Sequence, residues 1–237
     1  MSTNTITKNF INFKFLLEEG KEIKFELQLD DNWQIVEWQK LKNFHEDWTD
    51  LNYFACPNCP LDKTTVRHCP LAQTILRFVK VFALNLSTEN CVVFVETPTR
   101  GYYKNATLQQ GASALLGVLM VSSGCPIMAK LKPLLRFHLP FSTLEETQLR
   151  ACGYYLVAQF IKSKQNLNPD FEMKNLFKFY EDIKTLNQNV AQKIADLVQK
   201  DASLNSLVIL DTFANYITLS LEENEYESLS EILKEFF

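Results

Sequence analysis

Four of the six cysteines are each followed by proline, at Cys56-Pro57, Cys59-Pro60, Cys69-Pro70 and Cys125-Pro126, and the first three fall within fourteen residues of one another. Thiolates are strong ligands for borderline and soft metal ions, and a Cys56-x2-Cys59 pair can offer two sulfurs to one ion from a single turn. Cys69 would be the third ligand. Cys125, in Ser122-Ser123-Gly124-Cys125-Pro126, would bring the fourth from a distant loop. His68 and His138 are alternatives for that fourth place, because three thiolates and one imidazole also close a zinc shell. Lys63, Arg67 and His68 would moderate the negative charge of such a centre, which would otherwise be costly to bury.

The expectation from these spacings is a structural zinc site of Cys56, Cys59, Cys69 and Cys125. An iron–sulfur cluster is the alternative, since Cys-Pro is a familiar flank of cluster ligands; the nine residues between Cys59 and Cys69 and the 55 before Cys125 match no ferredoxin spacing. Zinc tolerates widely varied spacing between its half-sites. The competing reading makes these sulfurs small buried apolar groups, and Cys91 and Cys152 are assigned to it outright.

A second constellation surrounds His138, in Arg136-Phe137-His138-Leu139-Pro140-Phe141-Ser142, followed by Glu145, Glu146 and Arg150. Glu146 and Arg150 are four apart and would face each other as an ion pair on a helix. His138 against Glu145 or Glu146 could act as a general base beside a metal-bound water, which gives a zinc-dependent hydrolase as a third reading, open only if zinc kept a free position. Glu96-Thr97-Pro98-Thr99-Arg100-Gly101-Tyr102-Tyr103 reads as a polar loop beside the same cleft. No P-loop, GxGxxG, GxSxG or HExxH is present, so the common nucleotide, hydrolase and protease signals are missing.

The elements that must position these residues begin with two apolar-alternating runs, 12–17 and 22–29, around Gly20, which can take the positive φ of a hairpin connection. Phe13, Phe15 and Leu17 share one face, as do Ile23, Phe25, Leu27 and Leu29, so one side of the hairpin must be covered. Trp33, Trp38, Leu41, Phe44 and Trp48 follow and could supply part of that cover. A helix over 71–86 should start at Cys69-Pro70, with proline in the first turn and the Cys69 sulfur at a helix N-terminus whose dipole favours thiolate. The β-branched run 91–97 reads as a third strand.

The uncharged stretch 108–129 is too short in its apolar run to span a bilayer, and Gly111 to Val121 reads as a buried helix. Its small residues Gly111, Ala112, Ala114 and Gly117 would let neighbouring backbones approach. Ser142-x-x-Glu145 reads as a capping box opening a helix to about 164. Asn168-Pro169 should open another, on which Leu176, Phe179, Ile183, Leu186, Val190, Ile194 and Leu197 form one apolar stripe. Helices over about 204–221 and 226–237 finish the chain, joined by an acidic connector of Glu222, Glu223, Glu225 and Glu227.

With 237 residues, 46% hydrophobic, the chain has ample material for a folded core. Its net charge of −4 and pI near 5.5 argue against general affinity for nucleic acid or an anionic membrane. No secretory signal is visible, so a cytoplasmic setting with reduced thiols is expected. Together these readings give an α+β fold: a small antiparallel sheet, the N-terminal hairpin plus one strand, packed by helices. Residues 1–165 form the core with the cysteine site, and 166–237 a mainly helical C-terminal region, possible within the same domain. The chemistry points to a cytoplasmic metal-binding protein with a regulatory or adaptor role, meeting a protein partner or a second copy through its C-terminal helices, and no nucleic acid or membrane.

Cys-Pro-x-Cys-Pro-Leu, Cys-Pro-Leu-Ala, Ser-Gly-Cys-Pro and His-Leu-Pro-Phe with its following Glu-Thr and Arg resemble a family of uncharacterised bacterial proteins, a domain of unknown function. The resemblance covers about residues 10–165 and implies a soluble bacterial protein with these motifs at its heart. It implies no activity.

Overall fold

The computed structural model describes residues 9–36, 46–198, 200–223 and 226–237. Strand alternation dictates the first unit. In β1 (Asn9–Leu17) and β2 (Glu22–Leu29) every second side chain is buried, as the period of two requires when one sheet face is covered. Gly20, at φ +77°, turns the connection, and the Leu17 N–H donates to the Lys21 carbonyl at 2.9 Å.

Two short helices, α1 (Glu46–Thr49) and α2 (Leu51–Phe54), lead to α3 (Pro70–Phe82), which begins at the expected Cys-Pro step. Then come β3 (Asn90–Glu96) and β4 (Gly101–Thr107), giving a four-stranded sheet, antiparallel throughout, in the order β2-β1-β3-β4. Phe13 faces Phe25 on one side and Val95 on the other; Phe15 likewise sits between Ile23 and Val93. The inner face is therefore continuous across three strands. The fourth strand replaces the expected polar loop. Its sequence, Gly-Tyr-Tyr-Lys-Asn-Ala-Thr, lacks apolar alternation because it lies at the sheet edge with few buried positions.

Two helices cover the inner face. Phe82 of α3 packs its ring 5.4 Å from Phe15 and 5.9 Å from Phe25. The second is α4 (Leu108–Ser122), opened by a Thr107/Gln110 capping box. Here Gly111 is required: a Cβ at this position would lie 2.5 Å from Val93 Cγ2 and 2.9 Å from Phe15 Cε1. The helix thus approaches the sheet closely, as its small residues led one to expect. Of the aromatic residues thought to cover the hairpin, Trp33 packs against the core and Trp48 is buried, its indole N–H donating to the Lys193 carbonyl at 3.0 Å. Trp38, Leu41 and Phe44 lie outside the described residues.

The rest of the chain is helical: α5 (Lys132–Arg136), α6 (Leu144–Lys164), α7 (Lys174–Ala195), α8 (Ala202–Glu223) and α9 (Glu227–Leu233), with a final 3-10 turn Lys234–Phe236. The capping box of α6 is Thr143/Glu146, one residue beyond the expected pair. Helix α7 starts five residues after Asn168-Pro169, because the Asp170 carboxylate accepts the N–H groups of Lys174 and Asn175 at 3.2 and 2.8 Å. Of its predicted stripe, Leu176, Ile183, Leu186, Val190 and Ile194 are buried. Helix α8 packs on both α4 and α7. By length and composition alone, α8 is long and apolar enough to cross a membrane, a property the sequence reading had weighed only for 108–129. The acidic connector expected after α8 includes Glu225, which lies outside the described residues.

Candidate functional site

The cysteines occupy three turns that the fold brings near one another. Cys56 and Cys59 share the turn after α2, where the Cys59 N–H donates to the Cys56 carbonyl at 3.0 Å. Cys69 caps α3 and is buried; Cys125 follows Gly124, whose φ of +91° turns the chain at the end of α4 beside Pro70. Burial, then the neighbouring Cys69, Cys125 and Cys59, pushes the Cys56 thiol up to about 12. Burial likewise raises Cys69 to about 11, against a smaller downward pull from the N–H groups of Ala72 and Leu71. Cys125 is raised for the same reason. Desolvation outweighs the helix N-terminus, contrary to the expected stabilisation of thiolate at Cys69.

All six cysteines are free, and among the described residues no group of three or more His, Cys, Asp or Glu side chains is placed to hold a metal ion. The expectation of a four-cysteine zinc protein with a regulatory or adaptor role is corrected by that finding. The iron–sulfur and zinc-hydrolase alternatives, which needed the same ligands or an ion beside His138, are corrected with it. A local account of the Cys-Pro repeat replaces them. Pro70 fills the first turn of α3, where no N–H is needed. Pro126 follows Cys125 into a turn closed by the Ala129 N–H on the Cys125 carbonyl at 2.9 Å. Cys56 accepts a hydrogen bond from the Asn189 side-chain amide at 3.5 Å, which ties its turn to α7. The Cys69 and Cys125 sulfurs thus sit at chain reversals where nearby backbone N–H groups reach them, and Cys56 is held by a side chain of α7. Neither histidine joins them: His68 Nδ1 is hydrogen-bonded to Thr49 Oγ1 at 3.0 Å, and the His138 ring lies 6.1 Å from that of Phe13. Cys91 and Cys152 are buried, as expected of packing residues.

The His138 constellation also rearranges. Glu146 is used by the capping box, its carboxylate accepting the Thr143 N–H at 2.7 Å. Arg150 turns instead to the backbone, where its Nη2 donates to the carbonyls of Leu134 at 2.9 Å and Phe137 at 2.7 Å. The guanidinium thereby pins the segment carrying His138. Among the described residues neither Arg150 nor His138 meets a carboxylate.

His138 and Arg150 line a partly open cavity of about 390 Å³ between α4, α5, α7, α8 and the segment 138–142. Its wall is mainly apolar, with Val118, Leu135, Ile183, Phe213 and Ile217 among the contributors. The small residues Ser113, Ala114 and Gly117 of α4 all face it. Gly111 serves close approach to the sheet, whereas these leave space.

Two buried polar atoms on this wall have no hydrogen-bond partner, Nε2 of His138 and Oδ1 of Asn187. Burial, followed by the charge of Arg150, pushes the His138 imidazole down to about 3, so it is neutral near pH 7. Each nitrogen of a neutral imidazole can donate or accept a single hydrogen bond according to tautomer. An orphaned buried polar atom costs about 1–3 kcal/mol, and of the seven such side-chain atoms among the described residues two belong to residues that line this one cavity. Sequence reasoning had singled out His138 and Arg150, but not Asn187 or Lys104, which also lines the cavity.

The four-stranded antiparallel sheet, its helical cover and the helical C-terminal region define the class: an α+β protein. The chain belongs to the family described as Domain of unknown function (DUF6901), whose profile matches residues 11–234. That span passes well beyond residue 165, where the resemblance noted from the motifs ended, and includes α7 and α8. Comparison with curated proteins and with solved structures returned no match.

Proposed function

We propose that this protein binds an apolar small molecule in the cavity between α4, α5, α7 and α8. The observation that carries this reading is the solvent-shielded, unpartnered Nε2 of His138, a residue of a mainly apolar wall. A ligand bearing one hydrogen-bonding group would satisfy it, and Asn187 Oδ1 offers a second acceptor. The volume suits the task. Scaled from the roughly 150 Å³ cavity that holds one benzene, it would admit about 15 non-hydrogen atoms. At about 0.5 kcal/mol for each atom, such a ligand reaches a dissociation constant on the order of micromolar.

Titration with N-phenyl-1-naphthylamine, a neutral fluorescent apolar probe, tests the reading. Saturable binding of one equivalent is expected, with loss of about tenfold or more in affinity when Ala114→Phe or, independently, Ala214→Leu fills the space. Absence of saturable binding, or binding indifferent to both substitutions in cooperatively melting variants, would overturn it.

A further inference from the structure

The charge on the cavity wall identifies the class of ligand. Although Asp and Glu outnumber Lys and Arg by 28 to 24 in the chain, among the described residues no acidic side chain lines the cavity, while Lys104 and Arg150 both do. Neither has a carboxylate partner among the described residues. Lys104 extends from exposed β4 with its Nζ 5.7 Å from the centre of the Phe141 ring, itself part of the wall. Arg150 spends Nη2 on the Leu134 and Phe137 carbonyls and its guanidinium lies 5.9 Å from the centre of the Tyr154 ring, which leaves Nε and Nη1 without a hydrogen-bond partner among the described residues. His138 lies close enough to Arg150 to feel its charge. Arg150 and His138, which lie near each other, and Lys104 of β4 all line the cavity, while α8 contributes Ile209, Leu210, Phe213 and Ile217 and α7 contributes Ile183 beside Tyr180 and Asn187.

From this arrangement we infer that the ligand is an amphiphilic monocarboxylate, its apolar chain among α4, α7 and α8 and its carboxylate held by Lys104, Arg150 and His138. The inference rests on the proposed cavity reading and specifies the head group. A carboxylate suits the donors: guanidinium N–H groups, an ammonium and, in the proper tautomer, an imidazole N–H all donate to its two oxygens. A cationic head would meet like charge. A neutral alcohol would leave both cations without a counter-charge. With room for about 15 non-hydrogen atoms, the chain length falls near ten to twelve carbons.

The test compares decanoate, decan-1-ol and decylammonium on the full chain by calorimetry or by displacement of N-phenyl-1-naphthylamine. Decanoate is expected to bind about tenfold tighter than decan-1-ol, as a charge-assisted hydrogen bond implies, and decylammonium weakest. Lys104→Gln, at an exposed position with no hydrogen bond or ion pair to lose, should weaken decanoate about three- to fivefold and leave decan-1-ol unchanged. Added salt should weaken decanoate alone. If decan-1-ol or decylammonium binds as tightly as decanoate and Lys104→Gln changes nothing, the head-group inference is wrong while the cavity reading stands. If none of the three binds and the neutral probe also fails, both fall.

Discussion

Replacing His138 with phenylalanine should make the unliganded protein more stable and the binding site worse. The phenyl ring keeps the packing on Phe13, whose ring lies 6.1 Å away, while removing a buried Nε2 that has no partner. Relief of one orphaned buried polar atom is worth about 1–3 kcal/mol, and the added volume falls into the cavity. For a chain of this length, each kcal/mol moves the melting temperature by about 2–4 °C.

The effect should grow in acid, with a sign set by linkage. The imidazole sits near 6.5 when unfolded and is pushed down to about 3 when folded, so between these values the unfolded chain binds the extra proton. The contribution of neutral His138 is fully present above about pH 6.5 and is lost as the pH falls toward 3. At about pH 5 wild type should have lost about 2 kcal/mol relative to the variant. Denaturant unfolding of both proteins near pH 7 and pH 5, with decanoate binding in parallel, measures all of this. A His138→Phe variant that melts lower than wild type at neutral pH, or a gap that fails to widen in acid, would show that Nε2 is satisfied and remove the basis of the cavity reading.

Three further outcomes follow from the packing. Gly111→Ala should destabilise by about 1–3 kcal/mol through overpacking against Val93 and Phe15, outweighing the roughly 1 kcal/mol gain in helix propensity; a rise in the denaturant midpoint would contradict so close an approach of α4 to the sheet. Trp48→Phe should cost about 1 kcal/mol by leaving the Lys193 carbonyl without its indole donor, read from the denaturant midpoint, with no change in probe binding because the residue is remote from the cavity. The Cys56 and Cys69 thiols, raised in the fold to about 12 and about 11, keep their protons after the unfolded chain has lost them. Stability should therefore fall above about pH 9, by on the order of 1 kcal/mol per thiol near pH 10, and the loss should be smaller in Cys56→Ala and Cys69→Ala; equal pH profiles would refute the burial argument.

Several features were legible along the chain because they depend on neighbours a few residues apart. Alternation in 12–17 and 22–29 declared two strands and their inner faces, and Gly20 marked their turn. Cys69-Pro70 announced the start of α3, and the 3–4 spacing of Leu176 to Ile194 announced α7. Errors arose where two local signals competed. Ser142/Glu145 and Thr143/Glu146 both fit a capping box, and the second is used. Once Glu146 is committed there, Arg150 has no acid four residues back and reaches the Leu134 and Phe137 carbonyls. Strand β4 escaped notice because an edge strand with few buried positions leaves no alternation to read.

The cysteines and the cavity mark where reading along the chain stops. Composition and periodicity carried the α+β class, the first three strands, the long helices and the apolar faces, since hydrogen-bonding period and burial leave their trace in adjacent residues. Whether four sulfurs converge tightly enough to grip an ion depends on ångström-scale placement of turns far apart in the chain. The same holds for Ala114 and Gly117, whose small size spoke equally for close packing and for open space. Their partners across that space are on α7 and α8, more than sixty residues away, and the packing of those helices is what makes the cavity and strands His138 on its wall.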